Sequence, residues 1–229
     1  QLNGPSSVYV HNNGDIYILD ANNKRIVKWT RGSTVGESLI TELEIDELSD
    51  FFIDSNLNIY IAEHLSHRVT KWTPPYSGSG TVVAGGNGSG SGNNQLNEPF
   101  GVFVDESQNI YVSDGQNHRV MKWTPNASEG VVVAGGNGAG PALNQLHFPM
   151  ELYVHESGEI YIADESNQRI VKWFEADSEG VVVASDLKFP RGFHVTEDKV
   201  IYIADRENDR VVKWKENYNE GVVISLGRE

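Results

Sequence analysis

The 229-residue sequence contains no cysteine, so neither a disulfide framework nor a thiolate metal site can hold it together. Stability must come from a packed core, which a chain of this length can build. No segment approaches the roughly 20 apolar residues of a membrane-spanning helix, and none reads as a secretory leader. A first residue of Gln is what a trimmed, processed or excerpted chain would show. Basic residues are few: 18 Lys and Arg stand against 32 Asp and Glu, giving a net charge of −14. There is no basic run either, and a surface for nucleic-acid phosphates needs clustered Lys and Arg, so nucleic acid is not the expected partner. Helical periodicity is also missing. The apolar residues come instead in short runs rich in Val, Ile and Tyr, bounded by Gly, Asn, Asp and Pro, which is the pattern of antiparallel strands joined by tight turns.

One such run recurs. NKRIVKW (23–29), SHRVTKW (66–72), NHRVMKW (117–123), NQRIVKW (167–173) and NDRVVKW (208–214) use all five tryptophans, placed 41 to 51 residues apart. Each copy follows a second shared run: DIYILD, NIYIAE, NIYVSD, EIYIAD or VIYIAD. A third lies upstream (SVYVH, FFID, GVFVD, ELYVH, GFHVT), and a valine-rich fourth follows the Trp, weakest in the first copy as ESLI. Four short strands in about 45 residues make a propeller blade. The expectation is an all-β chain, a single propeller of five four-stranded antiparallel blades with repeats near 1–43, 44–93, 94–143, 144–185 and 186–229. A five-blade portion of a six-bladed or longer array is the alternative.

Within the repeat, Tyr17, Tyr60, Tyr111, Tyr161 and Tyr202 and the five tryptophans are expected to fill space between sheets. An acid and an Arg recur five apart: Asp20 with Arg25, Glu63 with Arg68, Asp114 with Arg119, Asp164 with Arg169, Asp205 with Arg210. Such pairs should form charge-assisted bonds across a hairpin, which makes the motif scaffold rather than active site.

The stretch from Pro99 to Val120, P-x-G-V-x-V-D-x-x-x-N-I-Y-V-x-D-x-x-N-H-R-V, resembles the NHL repeat, and all five units match it to varying degrees. The resemblance implies a propeller, commonly six-bladed, but not one activity: such propellers include RNA-binding domains, sensor and adhesion ectodomains and an amidating lyase. The second unit departs from the pattern, with Leu48-Ser49-Asp50 in place of Pro-x-Gly and Glu63 in place of Asp.

Candidate sites lie where the repeats stop repeating. At the expected mouth of the channel, Asp50, Glu151 and Arg191 break a small-residue pattern beside Phe100 and Met150, and could form a polar pocket for a small ligand. The alternative is an acid and an Arg compensating one another in a wet channel. At the other end His11, Asp54, Asp105 and His155 occupy equivalent positions and could hold a divalent metal, although Asp there can equally cap a turn. His194 replaces an aromatic and is expected to be packed. Two Gly-rich links, 85–99 and 135–149, have neither the Lys-Ser/Thr ending nor the following helix of a phosphate loop, and read as flexible or Ω-like connectors. Asn87 and Asn126 begin N-x-S sequons and are candidate glycosylation sites in a secreted chain. No nucleophile elbow or other catalytic constellation is visible. The expected function is a non-enzymatic, extracellular interaction scaffold without a cofactor, binding a protein, a glycan or other copies of itself through top loops or blade edges. A metal-dependent lyase or hydrolase is the competing class.

Overall fold

Every run predicted as a strand is one in the computed structural model, which describes residues 1–46, 48–215 and 220–226. The first sheet contains β1 (Pro5–Val10), β2 (Ile16–Asp20), β3 (Arg25–Trp29) and β4 (Glu37–Ile40). The second contains β5 (Asp50–Ile53), β6 (Ile59–Glu63), β7 (Arg68–Trp72) and β8 (Thr81–Gly85). The third contains β9 (Pro99–Val104), β10 (Ile110–Asp114), β11 (Arg119–Trp123) and β12 (Val131–Gly135). In the fourth are β13 (Pro149–Val154), β14 (Glu159–Asp164), β15 (Arg169–Phe174) and β16 (Val181–Ala184), and in the fifth β17 (Pro190–Val195), β18 (Val200–Asp205), β19 (Arg210–Lys215) and β20 (Val222–Leu226). Each sheet runs in chain order across its four strands, so each is an up-and-down blade. The only helical elements among the described residues are five three-residue 3₁₀ turns, one at each hairpin between second and third strands.

That hairpin explains most of the repeated motif. Its turn ends on a residue in the left-handed region (Lys24, His67, His118, Gln168 or Asp209, φ 50° to 58°). The acid before the turn is buried in all five blades, and the Arg after it donates Nε to one carboxylate oxygen: 2.7 Å in Arg25–Asp20, 2.6 Å in Arg68–Glu63, 2.7 Å in both Arg119–Asp114 and Arg169–Asp164, and 2.5 Å in Arg210–Asp205. The motif Asn donates to that same oxygen at 2.8 Å in Asn23–Asp20 and Asn167–Asp164 and at 2.9 Å in Asn117–Asp114 and Asn208–Asp205. The other oxygen accepts a backbone N–H from the arriving chain: Asn3 on Asp20, His147 on Asp164, Lys188 on Asp205. Burial alone would raise the Asp20 and Asp205 pKa values, but these donors outweigh it and leave both lowered. In the second blade the longer Glu63 turns its second oxygen to the Thr70 hydroxyl at 2.6 Å, where other blades have Val or Met.

The remaining motif residues are structural too. Lys28, Lys71 and Lys213 lie across the ladder from Tyr17, Tyr60 and Tyr202, and their ammonium groups sit 5.1 to 5.8 Å from the ring centroids. This cation–π contact contributes on the order of 0.5–1 kcal/mol apiece. Each Trp lies against a glycine just before the fourth strand of its own blade: a Cβ added at Gly36, Gly80, Gly130, Gly180 or Gly221 would come within 2.5 to 2.8 Å of the indole of Trp29, Trp72, Trp123, Trp173 or Trp214. Trp123, Trp173 and Trp214 are buried, as expected, whereas Trp29 and Trp72 are only half-buried. Trp123 and Trp173 lie under the long links, whose Asn93 and Leu143 carbonyls accept the Gly130 and Gly180 N–H groups at 2.8 Å.

The chain packs as two compact units, Gln1–Ile110 with Trp123–Gly130, and Tyr111–Lys122 with Val131–Glu229. In the first, Tyr17, Leu19, Ile26 and Ile40 of the first blade meet Phe51, Ile53, Ile59 and Ile61 of the second in a buried cluster. Rings of Tyr9, Phe52 and Phe103 run across its innermost strands at centroid spacings of 6.0 and 4.8 Å. In the second unit, β13 lies beside β17.

Candidate functional site

In the first unit, Asp50 sits half-buried at the start of β5, with the Ser7 hydroxyl and the N–H groups of Phe51 and Val102 near enough to favour its carboxylate. Burial outweighs these donors and pushes its pKa up to about 6. Phe100 is buried and packs on the His64 ring at 4.9 Å. His64 is itself buried between two carboxylates: its Nδ1 is 2.9 Å from Asp46 Oδ2 and its Nε2 3.7 Å from Glu98 Oε2. Its position in the hairpin varies from blade to blade (Ala21, His64, Gly115, Glu165, Arg206), which was the available signal.

In the second unit, Met150 is buried, Glu151 is half-buried, and Arg191 donates Nε to Glu165 Oε1 at 2.8 Å. The acid that answers Arg191 is thus at the same variable hairpin position, one the sequence reading passed over. His194, expected to be packed, is exposed; the one blade with a polar ring in this register is the one whose ring meets water.

The His/Asp positions after the first strands serve their turns. Asp54 Oδ1 accepts the N–H groups of Asn56 and Asn58 at 2.9 and 2.8 Å, and Oδ2 the Asn58 amide at 2.8 Å. Asp105 does the same for Asn109. In the first and fourth blades the roles are exchanged: His11 and His155 face Asp15 and Glu159 four residues on, with the backbone bond across the turn retained at 2.9 Å. His155 Nδ1 also meets Ser157, and Lys199 pairs with Glu159. Among the described residues no group of three or more His, Cys, Asp or Glu is placed to hold a metal ion.

The two Gly-rich links are ordered Ω-like loops and near copies of each other. Asn87 and Asn137 donate to the Asn94 and Asn144 carbonyls at 2.9 Å, and Gln95 and Gln145 donate back to the Asn87 and Asn137 carbonyls at 3.0 and 2.9 Å. Leu96 and Leu146 are fully buried beneath. Gly85 is irreplaceable here, because its φ is +67° and a Cβ would meet the His67 carbonyl at 2.6 Å. The Asn87 side-chain amide therefore closes a loop, whereas Asn126 stands exposed on a turn at φ 63°.

Five four-stranded blades of this kind define a β-propeller. Solved propellers confirm the fold: streptogramin B lyase (TM-score 0.69, 11% identity, 98% of this chain and 70% of that chain) and virginiamycin B lyase from Staphylococcus aureus with quinupristin (0.67, 11%, 99% and 71%) are similar. So is a chain of the nidogen/laminin complex (0.75, 13%, 98% and 80%). Identities this low speak for fold alone. No curated protein matches the chain. Residues 2–29 match the NHL repeat, and the same motif is built into every blade of this propeller.

Proposed function

We propose that this protein is a non-enzymatic interaction scaffold that works outside the cell and associates with further copies of itself through exposed apolar residues on its first and fifth blades. The observation that carries this reading is in the first unit. Val8 and Val10 of β1 are 63% and 62% exposed, while their counterparts in the second blade, Phe51 and Ile53, are 4% and 1% exposed. The second blade buries these residues against Tyr17, Leu19, Ile26 and Ile40 of the first. The first blade thus carries a docking face whose natural complement is the opposite face of another such blade. The fifth blade exposes apolar residues of its own on β20, namely Val222, Val223, Ile224 and Leu226. Apolar patches left open on a soluble protein mark association sites, and a face-to-tail contact is of the heterologous kind that propagates. Exposed Asn126 and the likeness to a chain of the nidogen/laminin complex support an extracellular setting.

Sedimentation equilibrium from about 1 to 100 μM tests the reading, a range in which interfaces of ordinary size associate. The expected result is concentration-dependent association that the double variant Val8→Asp, Val10→Asp abolishes without loss of the native circular dichroism. A wild-type protein that stays monomeric throughout, or one that carries a stoichiometric metal and hydrolytic activity, overturns it.

A further inference from the structure

The link between the fourth and fifth blades is short, Ser185 to Phe189, and it keeps only the last part of what the longer links contain. Its Asp186 carbonyl accepts Arg210 Nη2 at 3.2 Å, as the Gln145 carbonyl accepts Arg169 Nη2 at 3.0 Å. Lys188 N–H then reaches Asp205, as His147 N–H reaches Asp164. What is missing is the counterpart of residues 137–144. On the fourth blade that segment presents a row of backbone carbonyls: Gly140 to the Asn167 amide at 2.8 Å, Pro141 and Ala142 to the Arg169 guanidinium at 2.9 and 3.2 Å, and Leu143 to the Gly180 N–H at 2.8 Å. The fifth blade repeats the receiving groups, Asn208, Arg210, Trp214 and Gly221, and among the described residues no loop of the preceding link lies over them. In its place is a cavity of about 280 Å³ lined by Ser185, Asp186, Arg210, Val212, Trp214 and Gly221, with Glu220 at its edge. Among the described residues no carbonyl meets the Gly221 N–H or Arg210 Nη1.

We infer that this groove is a peptide-binding site, whose occupant is an extended segment of a partner protein rich in small residues and offering successive backbone carbonyls, as Gly140-Pro141-Ala142-Leu143 does on the fourth blade. The seat is preorganised. Asp205 fixes the Arg210 fork at Nε, and the Trp214 indole floors the cavity against Gly221. Recognition falls on backbone carbonyls, so the required chemistry is a segment without bulky side chains and without net negative charge, because Asp186 and Glu220 stand at the rim. The inference rests on the scaffold reading but on a different surface from the Val8–Val10 face of the first blade.

The probe is a capped peptide with the sequence of residues 137–144, NGAGPALN, titrated into ¹⁵N-labelled full-length protein. The expected result is saturable binding with a dissociation constant below about 1 mM, a downfield shift of the Gly221 amide as it gains an acceptor, and at least tenfold weaker binding to Arg210→Ala. Arg210→Lys, which keeps the charge and loses the fork, should bind nearly as poorly as Arg210→Ala. No shift at Gly221 up to 5 mM peptide (about five times that constant), or equal affinity for wild type and Arg210→Ala, overturns the inference. Sedimentation of the same samples separates the two proposals, since peptide binding by a strictly monomeric protein would leave the groove standing and remove self-association.

Discussion

Gly180→Ala should destabilise the protein although the backbone invites it. The φ of Gly180 lies outside the left-handed region, so alanine would ordinarily stabilise by about 0.4–1 kcal/mol through the unfolded chain. The Trp173 indole reverses the sign. A Cβ would sit 2.5 Å from its Cε3, 2.8 Å from Cζ3 and 3.1 Å from Cδ2, and the ring, 2% exposed, cannot swing aside. Relief requires moving the ring or the strand by close to an ångström, which for overpacked cores costs about 1–3 kcal/mol. In a domain of this size that lowers the melting temperature by roughly 2–12 °C. Gly36→Ala makes the same clash with Trp29 at 2.6 Å, but that indole is half-buried and can yield toward water, so its cost should be smaller. Gly192→Ala, with no atom within 4 Å of the added Cβ, is the control. Differential scanning calorimetry on the three variants ranks them. Gly180→Ala melting with the wild type, or Gly36→Ala proving the more damaging of the two, would refute the indole clash as the cause.

Arg169→Ala should cost about 3–5 kcal/mol in denaturant unfolding, because it strands the fully buried Asp164 and frees three loop carbonyls; Arg25→Ala, on a more exposed Arg, should cost clearly less, and equal costs would contradict the account. Asp50 holds its proton more tightly folded (about 6) than unfolded (3.8), so the stability it contributes is full below about pH 4 and is lost as pH rises through about 6; Asp50→Asn should flatten that part of a stability–pH curve. His118 is the opposite case: burial, then His147, lowers its pKa, and its Nδ1 accepts the Phe148 N–H at 3.3 Å. Its contribution is present above pH 6.5 and fades as pH falls through the lower folded value, so an NMR titration placing His118 above 6.5 would refute it.

The architecture was legible because short apolar runs bounded by turn residues, a fixed acid–Arg spacing and five tryptophans repeat the same physical problem five times. Even Glu63 was flagged, although its compensation by Thr70 was not, since a partner seven residues away has no local signature. The glycine under each Trp was visible as a recurrent letter but not as a seat, because the contact depends on how the fourth strand returns. The site was harder to read. Looking for broken repetition on the first strands alone found Asp50, Glu151 and Arg191 but not His64 or Glu165, which vary at a hairpin position brought near the first strands only by folding. A groove made by a missing loop leaves in sequence only a short link, and shortness is easily taken for economy.

The second oxygen of each hairpin carboxylate bears on how the molecule comes apart. Where it holds the N–H of the arriving chain, at Asn3, His147 and Lys188, a blade cannot keep its buried acid satisfied once that chain detaches, so local fraying becomes loss of the whole blade. Repeats tied in this way exchange amide protons as cooperative blocks rather than loop by loop. The second blade lacks the tie, because Glu63 gives that oxygen to Thr70. Its arriving chain is held to the hairpin by side chains instead, Asp46 on His64 and Glu44 on Arg68, so it can part without unpairing Glu63 from Arg68, and hydrogen exchange should find its first opening there.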